Sequence, residues 1–211
     1  MRADRNPDEV TLIAVTKHIP MGAVAQAIDS GLRHLGESYI QEAVRKIEAS
    51  NDNQSVTRLS WHLIGHLQKN KVRQAVGLFD VIHCLDSLEL AREIDLHAAK
   101  LGKVQRVLIQ VKLADEHTKS GIAPDMLPTL IDDIATLNHL RLEGLMTIPP
   151  YLDDPQEGRP YFRQLNHLRD KVYSMGYNNL GLSMGMSNDY EVAIEEGATM
   201  VRIGTAIFGQ R

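Results

Sequence analysis

The sequence predicts a single α/β domain with the TIM-type (β/α)8 barrel fold, and three observations lead to this prediction. Short apolar runs with strand character alternate with helical patterns eight times along the 211 residues. The first run, residues 10–16, is apolar at nearly every position, which is typical of a strand covered on both faces in a parallel sheet. No low-complexity tract or short repeat divides the chain, so residues 1–211 are expected to form one domain. An open doubly wound sheet is the alternative, since one miscounted strand separates the two folds.

The first half of the chain supplies four strand-and-helix pairs. Each predicted strand is a short run of β-branched and apolar residues, and the runs cover residues 10–16, 34–37, 59–65 and 80–85. Each predicted helix repeats apolar residues every three or four positions, and the helices cover residues 21–32, 38–49, 67–76 and about 87–101. Asp86 or Ser87 is expected to cap the fourth helix, and Gly102 to end it. The polar insert 50–57 is predicted to be a loop.

The second half repeats the same alternation. Its predicted strands cover residues 106–111, 142–148, 180–184 and 200–203. Predicted helices start at Pro124, at about residue 161 and near Ser187. The pair Pro149-Pro150 closes the sixth strand, because proline cannot donate to a sheet ladder. Residues 119–121 are predicted to form a loop near the barrel mouth.

Composition and charge exclude several classes of protein. The formal net charge of -4 gives no support for binding to nucleic acid or to anionic membranes. No stretch approaches the roughly 20 apolar residues of a membrane helix, and the amino terminus lacks the apolar segment of a secretory signal. The single cysteine, Cys84, lies in an apolar run and is interpreted as a core residue rather than a nucleophile. These features predict a cytoplasmic protein with neither a nucleic-acid nor a membrane partner.

A lysine stands at the carboxyl end of the first predicted strand. Lys17 follows residues 10–16 directly, at the end of the strand where barrel enzymes place their chemistry. The alternative is that its ammonium group simply reaches water at the rim of the sheet. For Lys17 alone this alternative is favoured. The loops after strands seven and eight, however, favour a functional role for Lys17.

Those two loops carry small residues beside hydroxyl groups. After strand seven, Gly185 would let a ligand approach the backbone, and Ser183 and Ser187 offer hydroxyls near a helix amino terminus. After strand eight, Gly204 is followed by Thr205. Barrels often bind phosphate with these two loops, so a phosphate site is predicted. Ordinary turns and an N-cap at Ser187 would explain either loop by itself.

A cation within strand eight adds to this pattern. Arg202 lies in an apolar run, and a buried cation is costly unless it is paired or contacts a ligand. Either an ion pair with a barrel carboxylate or a contact with a bound ligand is therefore expected. A lysine at one strand end and a phosphate site at another suggest a phosphorylated carbonyl compound bound as a Schiff base. Pyridoxal 5'-phosphate (PLP) is one candidate, and a sugar phosphate in an aldolase is the other.

A metal site at His62 and His66 is excluded by their local pattern. Ligands spaced by four residues suit a helix, whereas this segment is predicted to run from a strand into a loop. No carboxylate or cysteine converges on the two histidines by sequence. No metal is therefore expected in this protein.

Seven short segments share their order and spacing with one known family. They are AVTK at 14–17, GESYIQE at 36–42, WHLIGHLQ at 61–68, KSGI at 119–122, GLMTIP at 144–149, LSMGMS at 182–187 and VRIGTAIFG at 201–209. On these segments the chain resembles the pyridoxal phosphate homeostasis protein family. The resemblance implies a fold-type III PLP-binding barrel, similar to the amino-terminal domain of alanine racemase.

The resemblance also implies roles for the residues singled out above. Lys17 would form the internal aldimine with PLP. Ser183 or Ser187, together with Gly204 and Thr205, would hold the phosphate group of the cofactor. Each of these positions matches a motif residue of the family.

Three further positions are implied to contact the cofactor. Arg202 would face the pyridine nitrogen and keep it unprotonated, which weakens the ring as an electron sink. Ser38 stands where the family usually has an asparagine close to the cofactor ring, so its contact is expected to be weaker. Among the methionines, only Met184 is expected to contact the ligand.

The function implied by the resemblance is that of a PLP carrier or regulator in vitamin B6 and amino-acid homeostasis, without established catalysis. PLP-requiring apoenzymes are then the expected recipients. A racemase-like enzyme is one alternative, but that reaction uses a second base from a carboxyl-terminal domain, and this sequence ends at Arg211. A Schiff-base aldolase is the other alternative, and the sequence singles out no acid/base pair for it. The lack of the second domain also predicts a monomer.

Overall fold

The structure, a computed structural model, describes residues 3, 5–52, 58–114 and 120–210, without the side chains of residues 51 and 52. Within them, parallel strands close into a barrel in chain order. The strands are β1 Thr11–Val15, β2 His34–Glu37, β3 Ser60–Leu63, β4 Val81–Leu85, β5 Gln105–Gln110, β6 Leu140–Met146, β7 Gly181–Ser183 and β8 Met200–Ile203. Pairing of Thr11 with Met200 joins β1 to β8 and closes the barrel. The predicted TIM-type barrel is confirmed, and the open-sheet alternative is wrong.

Helices follow the strands and surround the barrel. They are α1 Met21–Asp29, α2 Ile40–Asp52, α3 Val72–Leu78, α4 Leu88–Lys100, α5 Leu127–Ala135, α6 Arg159–Ser174, α7 Tyr190–Glu195 and α8 Thr205–Phe208. Short 3-10 turns lie at Pro7–Glu9, Lys69–Lys71, Pro124–Met126 and Pro155–Gly158. Ser87 caps α4 as predicted, since its Oγ accepts the Leu90 amide at 3.2 Å. Among the described residues, no helix has the length and apolar character needed to cross a membrane.

The start of α2 lies against another loop. Residues 38 and 39 stay outside the helix, which begins at Ile40. A Cβ on Gly65 would lie 2.5 Å from the carbonyl oxygen of Ser38, so the two loops touch backbone to backbone. At its other end α2 runs to Asp52, so the first residues of the predicted loop 50–57 are helical. The rest of that loop, residues 53–57, lies outside the described residues.

Several element ends in the second half also differ from the prediction. Strand β6 begins and ends two residues earlier than predicted, because its last partner on β5 is Gln110, opposite Met146. Helix α7 begins at Tyr190, and Asp189 is its N-cap residue instead of Ser187. The carboxylate Oδ1 of Asp189 accepts the Met186 amide at 2.6 Å and so shapes the loop before the helix. Of the loop predicted at 119–121, residue 119 lies outside the described residues.

The barrel has two apolar layers, because side chains alternate between its two faces along each strand. The outer layer fills the space between strands and helices and contains, among others, Phe79 and Phe162. A separate inner cluster of Val81, Leu108 and Met146 lies inside the barrel, on three consecutive strands. The interior also contains polar side chains, among them His62, His83, Ser183 and Arg202, and these lead to the candidate site.

Candidate functional site

A cavity of ≈ 480 Å³ opens at the carboxyl end of the barrel. This volume lies within the range of small-molecule sites, about 300–1,000 Å³. Most residues that the sequence predicts for the site contribute to its wall. The lining includes Lys17, Ser38, Gly65, Tyr151, Ser187, Asp189, Arg202, Gly204 and Thr205. Residues from both ends of the chain therefore meet in one cavity.

Lys17 enters the cavity from a tight turn at the end of β1. The Thr16 amide still bonds to the carbonyl of Gly36 on β2, at 2.9 Å. The chain then turns sharply: His18 has a φ of 60°, and the Ile19 amide bonds back to the Thr16 carbonyl at 2.9 Å. A positive φ is strained for a residue other than glycine, so other contacts must hold this turn.

Lys46 on α2 supplies those contacts. Its Nζ donates to the carbonyl of Thr16 at 2.5 Å, to Glu37 Oε1 at 2.7 Å and to Glu42 Oε1 at 2.6 Å. Glu42 Oε1 also accepts the amide of His18 at 2.6 Å. The backbone groups on both sides of Lys17 are thus bound to one ionic cluster, which we call the Lys46 cluster (Glu37, Glu42 and Lys46).

The electrostatics of the Lys46 cluster follow from its depth. Glu37 is fully buried, and burial raises its pKa, although hydrogen bonds from Lys46 and Thr16 oppose the shift. Burial also acts to raise the pKa of Glu42, but the hydrogen bonds from Lys46 and the His18 amide outweigh it, so this pKa is lowered. Sequence reasoning missed the cluster. The spacing of Glu42 and Lys46 by one helical turn was the available signal.

The loops after β7 and β8 lie side by side, as the sequence predicts. Ser187 Oγ accepts the amide of Gly204 at 3.1 Å and the amide of Ala206 at 3.3 Å. These amides stand at the start of α8, beside the exposed Thr205. Because both amides donate to Ser187 Oγ, the hydroxyl of Ser187 keeps its own hydrogen for a ligand. Together with the neighbouring hydroxyl of Thr205, it forms a donor pair suited to a phosphate group. Ser187 therefore joins two loops rather than capping α7.

Ser183, Met184 and Gly185 do not line the cavity. Ser183 is fully buried inside the barrel, and Met184, the next residue, points outward into the apolar layer under the helices. Gly185 has a φ of 92°, and a Cβ there would lie 2.6 Å from the Cβ of Ala193. Its lack of a side chain thus allows α7 to pack closely, and the predicted role in ligand approach stays a prediction. The predicted contact between Met184 and the ligand has no support in this geometry.

Arg202 lies at the floor of the cavity and is only 3% exposed. Its Nη1 donates to Ser183 Oγ at 2.7 Å, and its Nη2 donates to the Thr147 carbonyl at 2.9 Å. Burial lowers its pKa to about 10, and Asp189 opposes the shift. Within the described part of the chain, no carboxylate is close enough to pair with Arg202, so the predicted alternative of an ion pair finds no partner there. A buried cation without a counter-ion favours an anionic ligand nearby.

Two other reactive residue types take no part in the cavity. Burial raises the pKa of the Cys84 thiol to about 12, so it is not a nucleophile at neutral pH. His62 is buried in the barrel, whereas the exposed His66 lies 3.0 Å from the Ser120 hydroxyl. Among the described residues, no three histidine, cysteine or acidic side chains gather as metal ligands.

Comparison with known proteins agrees with this fold. The model of the alanine racemase N-terminal domain family matches residues 2–211. The pyridoxal phosphate homeostasis protein of Aquifex aeolicus is 45% identical over 100% of this chain and 91% of its own length. That of Escherichia coli K12 is 44% identical over 100% of this chain and 89% of its own. The structure of Synechococcus elongatus PipY with PLP bound is 38% identical, has a TM-score of 0.89 and is matched over 99% of this chain and 96% of that one. This chain therefore belongs to the pyridoxal phosphate homeostasis protein family.

Proposed function

We propose that this protein binds PLP in the cavity at the carboxyl end of the barrel, with the cofactor linked to Lys17 as a Schiff base. We further propose that it acts as a carrier in intracellular PLP and amino-acid homeostasis. The observation that carries the proposal is the convergence of Lys17, Arg202 and the amides beside Ser187 in one cavity. The name of the relatives, pyridoxal phosphate homeostasis protein, and the PipY structure with PLP bound support it.

Each wall of the cavity has its own role in this proposal. The amides of Gly204 and Ala206 hold Ser187 in place, and the hydroxyls of Ser187 and Thr205 donate to the phosphate group. PLP supplies an aldehyde that condenses with a primary amine and releases water, and the amine of Lys17 is held at the rim by its turn. Arg202 donates a hydrogen bond towards the pyridine nitrogen. Because Arg202 keeps its proton at neutral pH, that nitrogen acts as an acceptor and stays unprotonated.

Ser187, rather than Ser183, is the serine that we assign to the phosphate. Ser187 lines the cavity and already contacts the two amides, whereas Ser183 is fully buried beneath Arg202. Ser38 lines the cavity beside Gly65, so we keep it as a contact to the cofactor. We do not assign such a contact to Met184, because its side chain lies outside the barrel wall.

The titratable groups of the cavity support a carrier more than a catalyst. Apart from Lys17, the described lining contains three of them: Tyr151, Asp189 and Arg202. Tyr151 is 77% exposed, and none of the described residues fixes its phenol against a bound ligand. Asp189 accepts the Met186 amide, and Arg202 only donates. Proton transfer in racemization or aldol chemistry needs a second, positioned base, which these residues do not provide.

Three extensions of the proposal require their own measurements. We propose that PLP-requiring apoenzymes accept the cofactor, since a Schiff base forms and breaks reversibly. Transfer is measured as the activity that PLP-loaded protein restores to such an apoenzyme. We also propose a monomer, to be measured by light scattering on a sizing column, and a cytoplasmic location, to be measured by cell fractionation.

The test of the central proposal is a visible absorption spectrum of the native protein with added PLP, followed by borohydride reduction and peptide mapping. We expect a Schiff-base band and a pyridoxyl group on the peptide that contains Lys17. Lys17→Ala should lack both, while Lys100→Ala, at an exposed position on α4, should keep both. A native protein without the band, or with the pyridoxyl group on another lysine, would refute the assignment.

A further inference from the structure

A chain of hydrogen bonds crosses the barrel interior from the cavity floor towards the opposite end. Arg202 donates to Ser183 Oγ at 2.7 Å, and Ser183 Oγ lies 3.0 Å from His83 Nδ1. His83 Nε2 lies 2.9 Å from His62 Nδ1, and His62 Nε2 lies 3.0 Å from His34 Nδ1. We call His34, His62, His83 and Ser183 the histidine relay. None of its members lines the cavity, so the proposed function leaves them without a role.

The sheet register explains how side chains from distant strands meet in one line. His34 lies on β2, and its neighbour His62 on β3 pairs with Gly36, two residues further along β2. His62 in turn pairs with Val81, and His83 lies two residues further along β4. The relay thus climbs by one inward-facing layer at each strand, as the stagger of a closed barrel requires. It starts near the amino end of β2 and ends below the cavity.

The two inner histidines are neutral at physiological pH. His62 is 2% exposed and His83 is 0% exposed. Burial, and then the charge of His34, lower the pKa of His62 to about 3. Burial, then His62 and Arg202, place the pKa of His83 well below its usual range. Each ring therefore carries one N–H group and one bare nitrogen, and the hydrogen bonds decide which is which.

Arg202 fixes the direction of the relay, because a guanidinium group only donates. Ser183 Oγ accepts from Arg202, so its own hydrogen must find an acceptor. Among the described residues, the only other group within hydrogen-bond distance of this hydroxyl is His83 Nδ1. His83 then carries its hydrogen on Nε2 and donates to His62 Nδ1. His62 likewise carries its hydrogen on Nε2, which faces His34 Nδ1 at 3.0 Å and Ser60 Oγ at 3.2 Å.

His34 differs from the inner histidines because it is partly exposed. Two charged groups act on it: Arg106 on β5 and Asp80 just before β4. Arg106 is itself paired with Glu143 on β6 at 2.7 Å. Burial and then Arg106 lower the pKa of His34, and Asp80 opposes them. A proton on His34 Nδ1 would face the N–H of His62, and two donors cannot share one hydrogen bond. His34 must then turn away, or every hydrogen in the relay must reverse and leave the Ser183 hydroxyl without an acceptor.

We propose that the histidine relay positions Arg202, and that it couples protonation of His34 to the hydrogen bond that Arg202 offers to a ligand in the cavity. The second part rests on the proposed function, since it takes PLP as the ligand. A ligand that requires the Arg202 geometry binds best when His34 is neutral. By linkage, bound PLP lowers the pKa of His34, and PLP affinity falls as the pH decreases through that pKa.

The direction of the relay is tested on the full chain without any ligand. We would label the histidine rings with 15N and record their nitrogen–proton correlations from about pH 8 down to about pH 5, the range in which free histidine titrates. We expect His62 and His83 to stay neutral with the hydrogen on Nε2, while His34 alone of the three titrates. A hydrogen on Nδ1 of either inner ring, or titration of either ring in this range, would overturn the relay.

The coupling is tested by repeating the His34 titration with PLP bound. We expect its midpoint to move to lower pH, and PLP affinity to fall roughly two- to tenfold through the midpoint, the effect of one lost hydrogen bond. Ser183→Ala interrupts the relay, so PLP should no longer move the midpoint. Ser174→Ala removes an exposed hydroxyl on α6 and should behave as the native protein. PLP and Lys17 titrate in the native protein and in both variants alike. A difference between these proteins therefore does not come from the titration of PLP or Lys17.

The outcomes separate this inference from the proposed function. If the titration midpoint of His34 in the native protein does not change when PLP binds to Lys17, the coupling is refuted. A native protein that binds no PLP refutes the proposed function, and with it the coupling, while the ring tautomers still decide the direction of the relay. If Ser183→Ala does not fold, His83→Gln interrupts the same path at the next residue.

Discussion

Replacement of Lys46 by methionine tests whether the Lys46 cluster holds the turn that carries Lys17. The substitution keeps an unbranched apolar stem but removes the ammonium group and its three hydrogen bonds, to Thr16, Glu37 and Glu42. Oε2 of Glu37 is buried and has no hydrogen-bond partner in the described residues. After the substitution, Oε1 keeps only the hydroxyl of Thr16, at 2.6 Å.

The magnitude follows from the burial of both partners. Lys46 is 6% exposed and Glu37 is 0% exposed. Removal of one member of a buried ion pair costs about 3–5 kcal/mol, because it leaves an uncompensated charge. Glu37, whose pKa burial already raises, can take up a proton, and this brings the cost towards the lower value. For a chain of this size the loss corresponds to a fall in melting temperature of roughly 6–20 °C.

Urea denaturation of the native protein and of Lys46→Met measures this loss directly. Lys100→Met, at an exposed position on α4, is the matched control and should change the unfolding free energy by less than about 0.5 kcal/mol. The double variant Glu37→Leu/Lys46→Met removes both buried charges, and we expect it to recover much of the loss. The yield of the Lys17 Schiff base should fall in Lys46→Met, since the turn at His18 loses its support.

Two results would refute this reasoning. A loss below about 1 kcal/mol in Lys46→Met would show that the cluster contributes no more than a surface pair. A double variant no more stable than Lys46→Met would show that the isolated charge of Glu37 is not the source of the cost.

Three further predictions concern the cavity and its support. Gly65→Ala should lower the unfolding free energy by about 1–3 kcal/mol and weaken PLP binding, because the new Cβ would lie 2.5 Å from the Ser38 carbonyl oxygen. Gly77→Ala is the control, since no heavy atom lies within 4 Å of the Cβ it would add. Equal melting temperatures for the two variants would contradict the prediction. Ser187→Ala should weaken the binding of PLP roughly two- to tenfold in a binding titration, but it should not change the affinity for pyridoxal, which lacks the phosphate. An equal loss of affinity for both ligands would place Ser187 away from the phosphate. The pKa of Glu42 is lowered in the folded protein, so its charge stabilises the fold above its ordinary pKa of 4.5. The difference in unfolding free energy between the native protein and Glu42→Gln should therefore be largest above pH 4.5 and shrink as the pH falls below it. A difference independent of pH would show that the carboxylate charge is not involved.

The barrel and the position of Lys17 could be predicted because both depend on local patterns. A run that is apolar at successive positions predicts a strand buried on both faces, and eight alternations predict closure into a barrel. Strands β2 and β8 have the predicted bounds, and Lys17 follows β1 closely. The loops after β7 and β8 meet as predicted because parallel strands bring their carboxyl ends to the same side.

The roles of Ser183 and Ser187 could not be separated from the sequence. Both are serines near the same strand end, and the distinction depends on where β7 ends and on which face of it Ser183 occupies. Ser183 points into the barrel and meets Arg202, while Ser187 lies beyond the strand and contacts the loop after β8. A shift of one residue in the strand would exchange inward and outward positions, and sequence patterns do not fix strand ends that closely.

The sequence by itself determined the barrel, the lysine at the first strand end and the family. Only the tertiary structure revealed the Lys46 cluster and the histidine relay. Glu37 and Lys46 belong to different elements, and His34, His62, His83 and Ser183 come from four strands. Their contacts exist because barrel closure sets the register between strands and the depth of each side chain. Register and burial are properties of the whole fold, so no local pattern of residues encodes them.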